Sequence, residues 1–179
     1  MAKNLVMCGV ESTYLDYLRE FDGNVSKDPK KRRKFVGILF EIGDHLYCAP
    51  LSSPKPKHQT MSDKAPDIYK IDGGVLGLIN LNNMIPVLES TIVSVDIDNE
   101  PDKKYKELMT DQIILIRKDE ELIKKKARKL YQIVKSNKQP KLNERCCKYQ
   151  LLEGIASQYG QADSITLAET AAAPQHNLD

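Results

Sequence analysis

Two apolar, β-prone segments joined by a tight turn place the strongest constraint on this fold. Residues 35–42 read Phe-Val-Gly-Ile-Leu-Phe-Glu-Ile, and residues 45–51 read His-Leu-Tyr-Cys-Ala-Pro-Leu. Gly43 and Asp44 between them are typical turn residues, so the pattern predicts a β-hairpin. Because proline donates no ladder hydrogen bond, Pro50 is expected to weaken only the end of the second strand.

The remaining hydrophobic pattern indicates strands in the first half of the chain and helices in the second. Further strands are predicted at residues 4–10, 68–71, 77–86 and 87–98, with a loop rich in Ser, Pro and Lys at 52–67. Helical spacing predicts helices at residues 11–21, 103–118, 120–136 and 141–159, the first with Ser12 and Thr13 as possible caps. Strands followed by helices, without βαβ alternation, indicate an α+β fold with a mostly antiparallel sheet.

Length and composition limit the organisation of the chain. The 179 residues suit one domain, expected at residues 1–160, and residues 161–179 have the composition of a flexible tail. No segment reaches the ~18 apolar residues of a membrane span. The four cysteines show no CxxC spacing, and three histidines argue against a Cys-His zinc site. We therefore expect a soluble, cytoplasmic protein that needs no cofactor.

The charges are unevenly distributed although they nearly cancel. The net charge is +2, from 27 Lys and Arg against 25 Asp and Glu. Basic residues cluster at 27–34, at 124–129 and more loosely at 138–148, whereas acidic residues collect at 96–102 and 119–121. Such clusters are typical of a surface that binds a polyanion. For residues 124–129 alone, a solvated helix face is the simpler interpretation.

The segment Ser52-Ser53-Pro54-Lys55-Pro56-Lys57-His58 directly follows the hairpin. It holds two hydroxyls, two ammonium groups and an imidazole within seven positions. Antiparallel pairing brings the start of the first hairpin strand beside the end of the second, so residues 30–34 should lie next to this segment. The two together predict a phosphate-binding edge. The alternative is a proline-stiffened basic loop without chemistry.

Such an edge has the groups needed to cleave RNA without a metal ion. The 2′-hydroxyl of the substrate is the nucleophile, so the protein must remove its proton, stabilise the dianionic phosphorane and protonate the leaving 5′-oxygen. Crowded cations disfavour one another's charge, so Lys55 would exchange a proton more readily if it is partly removed from water.

Other motifs indicate less chemistry. Residues 73–77 read Gly-Gly-Val-Leu-Gly but do not open a helix, so we interpret them as a turn and not a nucleotide site. The sequence contains no Gly-x-Ser-x-Gly motif, so it does not indicate a serine hydrolase. Two alternatives to a metal-independent ribonuclease stay open: a non-catalytic RNA-binding module with the same basic surface, and a metal nuclease that uses Asp96, Asp98 and Glu100, with Asp102 beside them.

Three ordered blocks resemble a known family. Residues 35–42, residues 45–55 with their Ala-Pro-Leu-Ser-Ser-Pro-Lys motif, and residues 76–87 (Leu-Gly-Leu-Ile-Asn-Leu-Asn-Asn-Met-Ile-Pro-Val) are similar to the ToxN/AbiQ endoribonucleases of type III toxin–antitoxin systems. The resemblance implies a partly open, SH3-like or Kid-MazF-like β-barrel flanked by helices. It also implies metal-independent cleavage of cellular or phage RNA that leaves a 2′,3′-cyclic phosphate.

The resemblance further implies a partner. Toxins of this family are inhibited by a small pseudoknot RNA made from tandem repeats, process that RNA and assemble with it into closed rings of several toxin chains. The dispersed basic clusters of this chain suit such a partner. The expected antitoxin is therefore an RNA.

By position, the resemblance assigns the catalytic roles to the hydroxyl pair Ser52 and Ser53, the motif lysine Lys55 and a basic residue before the first hairpin strand, Arg33 or Lys34. Many relatives have lysine at that basic position, and arginine is a better phosphate clamp but a poorer proton donor. Relatives tend to have tyrosine where this chain has Thr110, and Tyr105 lies nearby on the same predicted helix. The expected RNA contacts are Lys30, Lys31, Lys34, Lys57, His58, Tyr105, Thr110, Lys124, Lys125 and Lys126.

Overall fold

The computed structural model of the chain describes residues 5–27 and 36–161. Its strands are β1 (Val6–Val10), β2 (Val36–Ile42), β3 (His45–Ser52), β4 (Tyr69–Lys70), β5 (Leu78–Ile79), β6 (Ile85–Val87) and β7 (Ile92–Ser94). Its helices are α1 (Ser12–Phe21), α2 (Pro56–Thr60), α3 (Lys103–Lys118), α4 (Glu120–Ser136), α5 (Pro140–Arg145) and α6 (Tyr149–Ala156).

The seven strands in the described part of the chain belong to one antiparallel sheet with helices packed around it. The strand order is β4-β5-β3-β2-β1-β7, and β6 pairs with β3. Within the described residues the end strands β4 and β7 do not pair, so the sheet stays open. The predicted α+β class, with a partly open antiparallel sheet flanked by helices, is confirmed.

The predicted hairpin forms β2 and β3. Its register runs from Ile42 opposite His45, at the turn, to Gly37 opposite Pro50. Gly43 occupies the turn with a φ of 58°, a conformation that favours glycine. The start of β2 therefore lies beside the end of β3, as the antiparallel pattern requires.

Buried tyrosines connect the helices to the sheet side of the core. Tyr14 of α1 donates a hydrogen bond to the carbonyl oxygen of Pro86 at 2.8 Å. Tyr149 of α6 donates to the carbonyl oxygen of Leu81 at 2.9 Å. Both side chains are at most 1% exposed, so their rings fill the core while each hydroxyl has an acceptor.

The loop predicted at residues 52–67 was partly wrong, because it contains α2. Pro56 occupies the first turn of that helix. Proline is tolerated there, since its fixed φ suits a helix and the missing N–H would have no partner in the first turn. The proline-rich composition therefore marked a helix start inside the loop.

The strands predicted at residues 77–86 and 87–98 are shorter than expected. Single 3₁₀ turns at Leu81–Asn83 and Glu89–Thr91 interrupt them. Thr91 Oγ1 donates to the carbonyl oxygen of Leu88 at 2.9 Å, a local bond that competes with extended pairing. Tyr69–Lys70 is likewise a shorter strand than predicted.

Two helix predictions needed correction. Glu11 precedes α1 as its N-cap residue without a side-chain cap bond, so neither Ser12 nor Thr13 is the cap. The helix predicted at residues 141–159 is split into α5 and α6. At the break, the N–H of Cys147 donates to the carbonyl oxygen of Asn82 at 2.7 Å, and the N–H of Lys148 donates to Asp22 Oδ2 at 2.6 Å. These tertiary bonds replace intrahelical ones.

The remaining organisational predictions have different outcomes. No helix in the described part of the chain has the length and apolar character needed to cross a membrane. The four cysteines are free and buried. The tail was predicted at residues 161–179, of which residues 162–179 lie outside the described residues. The single domain at residues 1–160 stays a prediction.

Candidate active site

The predicted catalytic segment lies where β3 leaves the sheet. Ser52 is the last residue of β3 and pairs with Leu78 of β5. Ser53 follows without regular structure, and Lys55 precedes α2 in an extended conformation. The N–H of His58 donates to the carbonyl oxygen of Lys55 at 2.9 Å, closing the first turn of α2. Two hydroxyls and a lysine are thus held between a strand and a helix.

Asn80 holds the side chain of Ser52. Its Nδ2 donates to Ser52 Oγ at 2.7 Å and to the carbonyl oxygen of Pro50 at 3.1 Å. The backbone N–H of Asn80 donates to the same carbonyl at 2.8 Å. The sequence comparison included Asn80 in the block at residues 76–87 but assigned it no role. The signal that identifies it is the register between β3 and β5.

The glycine turn at residues 73–77 supports the backbone of the same segment. A Cβ atom on Gly77 would lie 2.0 Å from the carbonyl oxygen of Ser52. A Cβ atom on Gly74 would lie 2.7 Å from the carbonyl group of His58. Both residues have positive φ values, 99° for Gly77 and 96° for Gly74. The turn interpretation is confirmed, and the glycines also permit close contact with the candidate site.

Helix α3 docks on this turn through Gln112, which the sequence analysis did not select. Gln112 is 3% exposed, and its Nε2 donates to the carbonyl oxygen of Leu76 at 2.8 Å. Thr110 lies half-buried on the same helix, with its hydroxyl donating to the carbonyl oxygen of Lys106 at 2.8 Å. Tyr105 is also half-buried and packs against the hydrophobic core. The roles of Thr110 and Tyr105 toward RNA stay predictions.

His58 is a part of the core beneath the segment and not an RNA contact. Its side chain is 2% exposed, so the predicted contact is wrong. Burial lowers its pKa, and the charges of Lys55 and Lys57 lower it further. Within the described residues its Nδ1 is buried without a hydrogen-bond partner. His58 therefore contributes a neutral imidazole to the packing under the two lysines.

Lys55 and Lys57 are both exposed. The hypothesis that Lys55 exchanges a proton required it to be partly removed from water, and its exposure does not meet that condition. Both lysines are available to a phosphate. The catalytic role of Lys55 and the RNA contact of Lys57 stay predictions.

Four residues of the basic segment before β2 lie outside the described residues: Arg33, Lys30, Lys31 and Lys34. The register of β2 against β3 places Gly37 opposite Pro50, near the end of β3. Their predicted proximity to the serine pair remains a prediction.

The basic residues of the cluster on α4 differ in exposure and in their ion pairs. Lys124 is 5% exposed, and its Nζ pairs with Glu120 and lies 3.7 Å from Glu121 Oε1. Its predicted RNA contact is therefore wrong. Lys125 is exposed, and Lys126 is half-buried, with a pKa that desolvation lowers. The RNA contacts predicted for Lys125 and Lys126 stay predictions.

The acidic residues considered as metal ligands of a nuclease, at positions 96–102, form a turn and a helix cap. Asp96 accepts hydrogen bonds from Asn99, and Asp102 accepts from two backbone N–H groups at the start of α3. Glu100 accepts from the N–H of Asp102 at 3.1 Å. Among the residues that the structure describes, no group of three or more His, Cys, Asp or Glu side chains is arranged to hold a metal ion. The side chains of Asp96, Glu100 and Asp102 thus have structural contacts, and Asp98 accepts a bond from Lys106 Nζ through its backbone carbonyl oxygen at 2.6 Å.

Comparison with known proteins gives a consistent assignment. Residues 6–157 match the family described as toxin ToxN of type III toxin–antitoxin systems. The endoribonuclease ToxN of Pectobacterium atrosepticum is 35% identical over 161 residues, covering 85% of this chain and 92% of that protein. The endoribonuclease ToxN of Bacillus thuringiensis subsp. kurstaki is 32% identical over 163 residues, covering 86% and 84%.

A solved structure shares the fold over nearly the same length. It comes from work on bacterial type III toxin–antitoxin systems in which a non-coding RNA pseudoknot selectively inhibits the toxin. It has a TM-score of 0.77 and 27% identity, and the match covers 88% of this chain and 98% of that one. The family predicted from the three sequence blocks is confirmed. This chain belongs to the ToxN family, the endoribonuclease toxins of type III toxin–antitoxin systems.

Proposed function

We propose that this toxin cleaves RNA without a metal ion, through the segment that contains Ser52, Ser53 and Lys55. One observation supports the location: the two serines lie at the end of β3, where Asn80 and the glycine turn fix their chain from two sides. An exposed lysine stands two positions later. Hydroxyls and a cation held on a rigid edge provide donors for a phosphate.

The proposed reaction is an internal transfer within the RNA. The 2′-oxygen attacks the adjacent phosphorus as its proton passes to a base, and the bond from phosphorus to the 5′-oxygen breaks. The 5′-oxygen takes a proton from an acid, so the products are a 2′,3′-cyclic phosphate and a 5′-hydroxyl. Ser52 and Ser53 donate hydrogen bonds to the non-bridging oxygens, whose charge grows in the phosphorane.

Lys55 and Arg33 supply the positive charge in this proposal. RNA that covers Lys55 would remove it from water, which is the condition for proton exchange that the free protein does not meet. Arg33 clamps the phosphate, since a guanidinium keeps its proton. The structure does not describe Arg33, and its place rests on the register of β2 against β3.

The regulator of the toxin is, in this proposal, a small repeat RNA that folds as a pseudoknot. Inhibition by such an RNA is described for the solved relative. The RNA would occupy the catalytic edge and the exposed basic residues, including Lys57 and Lys125. The toxin would process its repeats and form a closed ring with several toxin chains in the cytoplasm.

The test compares Ser53→Ala with wild type and with Ser90→Ala, a matched serine change at an exposed position of the Glu89–Thr91 turn. Each protein is expressed without antitoxin RNA, and the purified protein is incubated with total cellular RNA in EDTA. Wild type and Ser90→Ala should stop growth and cleave RNA, with cyclic phosphate ends detected by mass spectrometry. Ser53→Ala should lose at least about 100-fold in cleavage rate.

Two results would contradict the proposal. Equal cleavage by Ser53→Ala and wild type would exclude the catalytic role proposed for Ser53. Cleavage that stops in EDTA and returns with Mg²⁺ would replace the metal-independent mechanism.

A further inference from the structure

We infer that Asn80 is a positioning residue that fixes the Ser52 hydroxyl as a hydrogen-bond donor toward the RNA phosphate. The inference rests on the proposed function, since it assigns a task to a residue of that site. It adds a residue outside the catalytic motif, contributed by the chain that follows β5.

Chemistry fixes the orientation of the Asn80 amide. One end of that amide lies 3.1 Å from the carbonyl oxygen of Pro50, which accepts hydrogen bonds and never donates them. That end must therefore be the NH₂ group. The same NH₂ lies 2.7 Å from Ser52 Oγ, so its second hydrogen is available for Ser52.

The orientation determines what Ser52 does. An amide NH₂ only donates, so Ser52 Oγ is the acceptor in this bond. The single hydroxyl hydrogen of Ser52 is then directed to another acceptor. A phosphate oxygen accepts and does not donate, so a Ser52 held in this state is prepared for a phosphate before it arrives.

The backbone of Ser52 is fixed by a separate contact. Gly77 approaches its carbonyl oxygen so closely that a Cβ atom there would lie 2.0 Å away. The chain position is thus set by Gly77 and the hydroxyl polarity by Asn80. A substitution at Asn80 that keeps the side-chain shape but replaces the donor by an acceptor changes the direction of the Ser52 hydroxyl without changing the contact at Gly77.

Asn80→Asp is that substitution. A carboxylate only accepts, so it repels the carbonyl oxygen of Pro50 and draws the Ser52 hydrogen onto itself. Ser52 would then present lone pairs to the phosphate. We expect cleavage to fall about 100-fold, as when one donor to a transition-state oxyanion is lost. Asn80→Ala leaves the hydroxyl free to rotate, and we expect about a tenfold loss.

The matched control is Asn83→Asp. Asn83 donates its Nδ2 to the carbonyl oxygen of Asn24 at 2.8 Å, and within the described residues its side chain makes no hydrogen bond with Ser52. The change is therefore the same in chemistry and three residues away in sequence. We expect Asn83→Asp to cleave within about threefold of wild type, after thermal unfolding has shown that all variants are folded at the assay temperature.

A double-mutant cycle with Ser52→Ala distinguishes positioning from general stability. Single-turnover cleavage of total bacterial RNA is measured at one mapped site for Ser52→Ala, Asn80→Ala and the double variant. If Asn80 acts through Ser52, the double variant should cleave as fast as Ser52→Ala. Independent, multiplying losses would overturn the inference.

The outcomes also separate this inference from the proposed function. If Ser52→Ala and Ser53→Ala both cleave normally, the proposed site fails. If Ser53→Ala and Ser52→Ala are impaired while folded Asn80→Asp cleaves normally, the site stands and the role of Asn80 is refuted.

Discussion

Replacement of Gly77 by alanine tests whether the glycine turn holds the proposed catalytic segment at Ser52 and Ser53. Gly77 has a φ of 99°, and an added Cβ would lie 2.0 Å from the carbonyl oxygen of Ser52. Gly73 provides a matched control in the same turn, because its φ of 60° is also positive but no atom lies within 4 Å of its added Cβ. The two variants share the backbone penalty and differ in the contact with Ser52.

The expected magnitudes follow from that difference. A left-handed conformation costs an L-residue about 1–2 kcal/mol, and this is the whole cost for Gly73→Ala. Overpacking against a fixed backbone atom adds about 1–3 kcal/mol for Gly77→Ala. We therefore expect Gly77→Ala to lower the free energy of unfolding by about 2–5 kcal/mol, with a fall in Tm of roughly 10 °C for a chain of this size.

Urea unfolding and RNA cleavage together check this reasoning. Relief of the clash must move Ser52 and Ser53, and a displacement near 1 Å costs cleavage about 100-fold. Gly77→Ala should show that loss at a temperature where it is fully folded, while Gly73→Ala should retain most of its activity. Equal free energies of unfolding for the two variants would refute the close contact. A destabilised Gly77→Ala with normal cleavage would refute its link to catalysis.

Three further predictions concern His58, Lys124 and Lys125. Burial lowers the pKa of His58 in the folded state, so the unfolded state binds the proton first as pH falls through its ordinary value near 6.5. The free energy of unfolding measured in urea should then decrease as the pH is lowered from 7.5 to 5.5, by up to about 1.4 kcal/mol per pH unit. The decrease should be smaller in His58→Gln, and equal pH slopes for wild type and His58→Gln would contradict the prediction. Lys124→Ala should lower the free energy of unfolding in urea by about 1–3 kcal/mol because it breaks the buried pair with Glu120, whereas the exposed Lys125→Ala should leave it unchanged. Equal free energies of unfolding for the two variants would show that the pair does not stabilise the fold. Lys125→Ala should instead weaken pseudoknot RNA binding and reduce its salt dependence by about one counterion, and an unchanged salt slope would exclude the contact.

The sequence predicted the parts of the fold that local patterns determine. The hairpin of β2 and β3, helix α1 and helices α3 and α4 have strong periodicity, and their bounds agree closely with the structure. The break between α5 and α6 was not predictable from periodicity. It forms because backbone N–H groups at the break donate hydrogen bonds to Asp22 and Asn82, which are far away in sequence. Tertiary hydrogen bonds override helical propensity at such positions.

The same division applies to the candidate site. Ser52, Ser53 and Lys55 are neighbours in sequence, so a motif reveals them. Their supports, Gly77 and Asn80, lie directly before and directly after strand β5, and only the pairing register identifies them. Burial of His58 and Lys124 is equally invisible in a list of basic residues, which explains why both were wrongly predicted as RNA contacts.

Pro50 explains why the pairing between β3 and β5 ends at Asn80, whose side chain can then donate to Ser52. In a strand, the N–H and C=O of one residue point to the same neighbouring strand. The carbonyl of Pro50 faces Asn80, so its missing N–H is on the side of β5 and not of β2. The ladder between β2 and β3 therefore continues through Pro50, whereas pairing between β3 and β5 stops after Ile79. Asn80 leaves strand geometry there, with φ −90° and ψ 84°, and its amide reaches Ser52 Oγ. A proline that sequence rules treat as a weak strand end thus ends the β5 ladder at Asn80, the residue that donates to Ser52 Oγ.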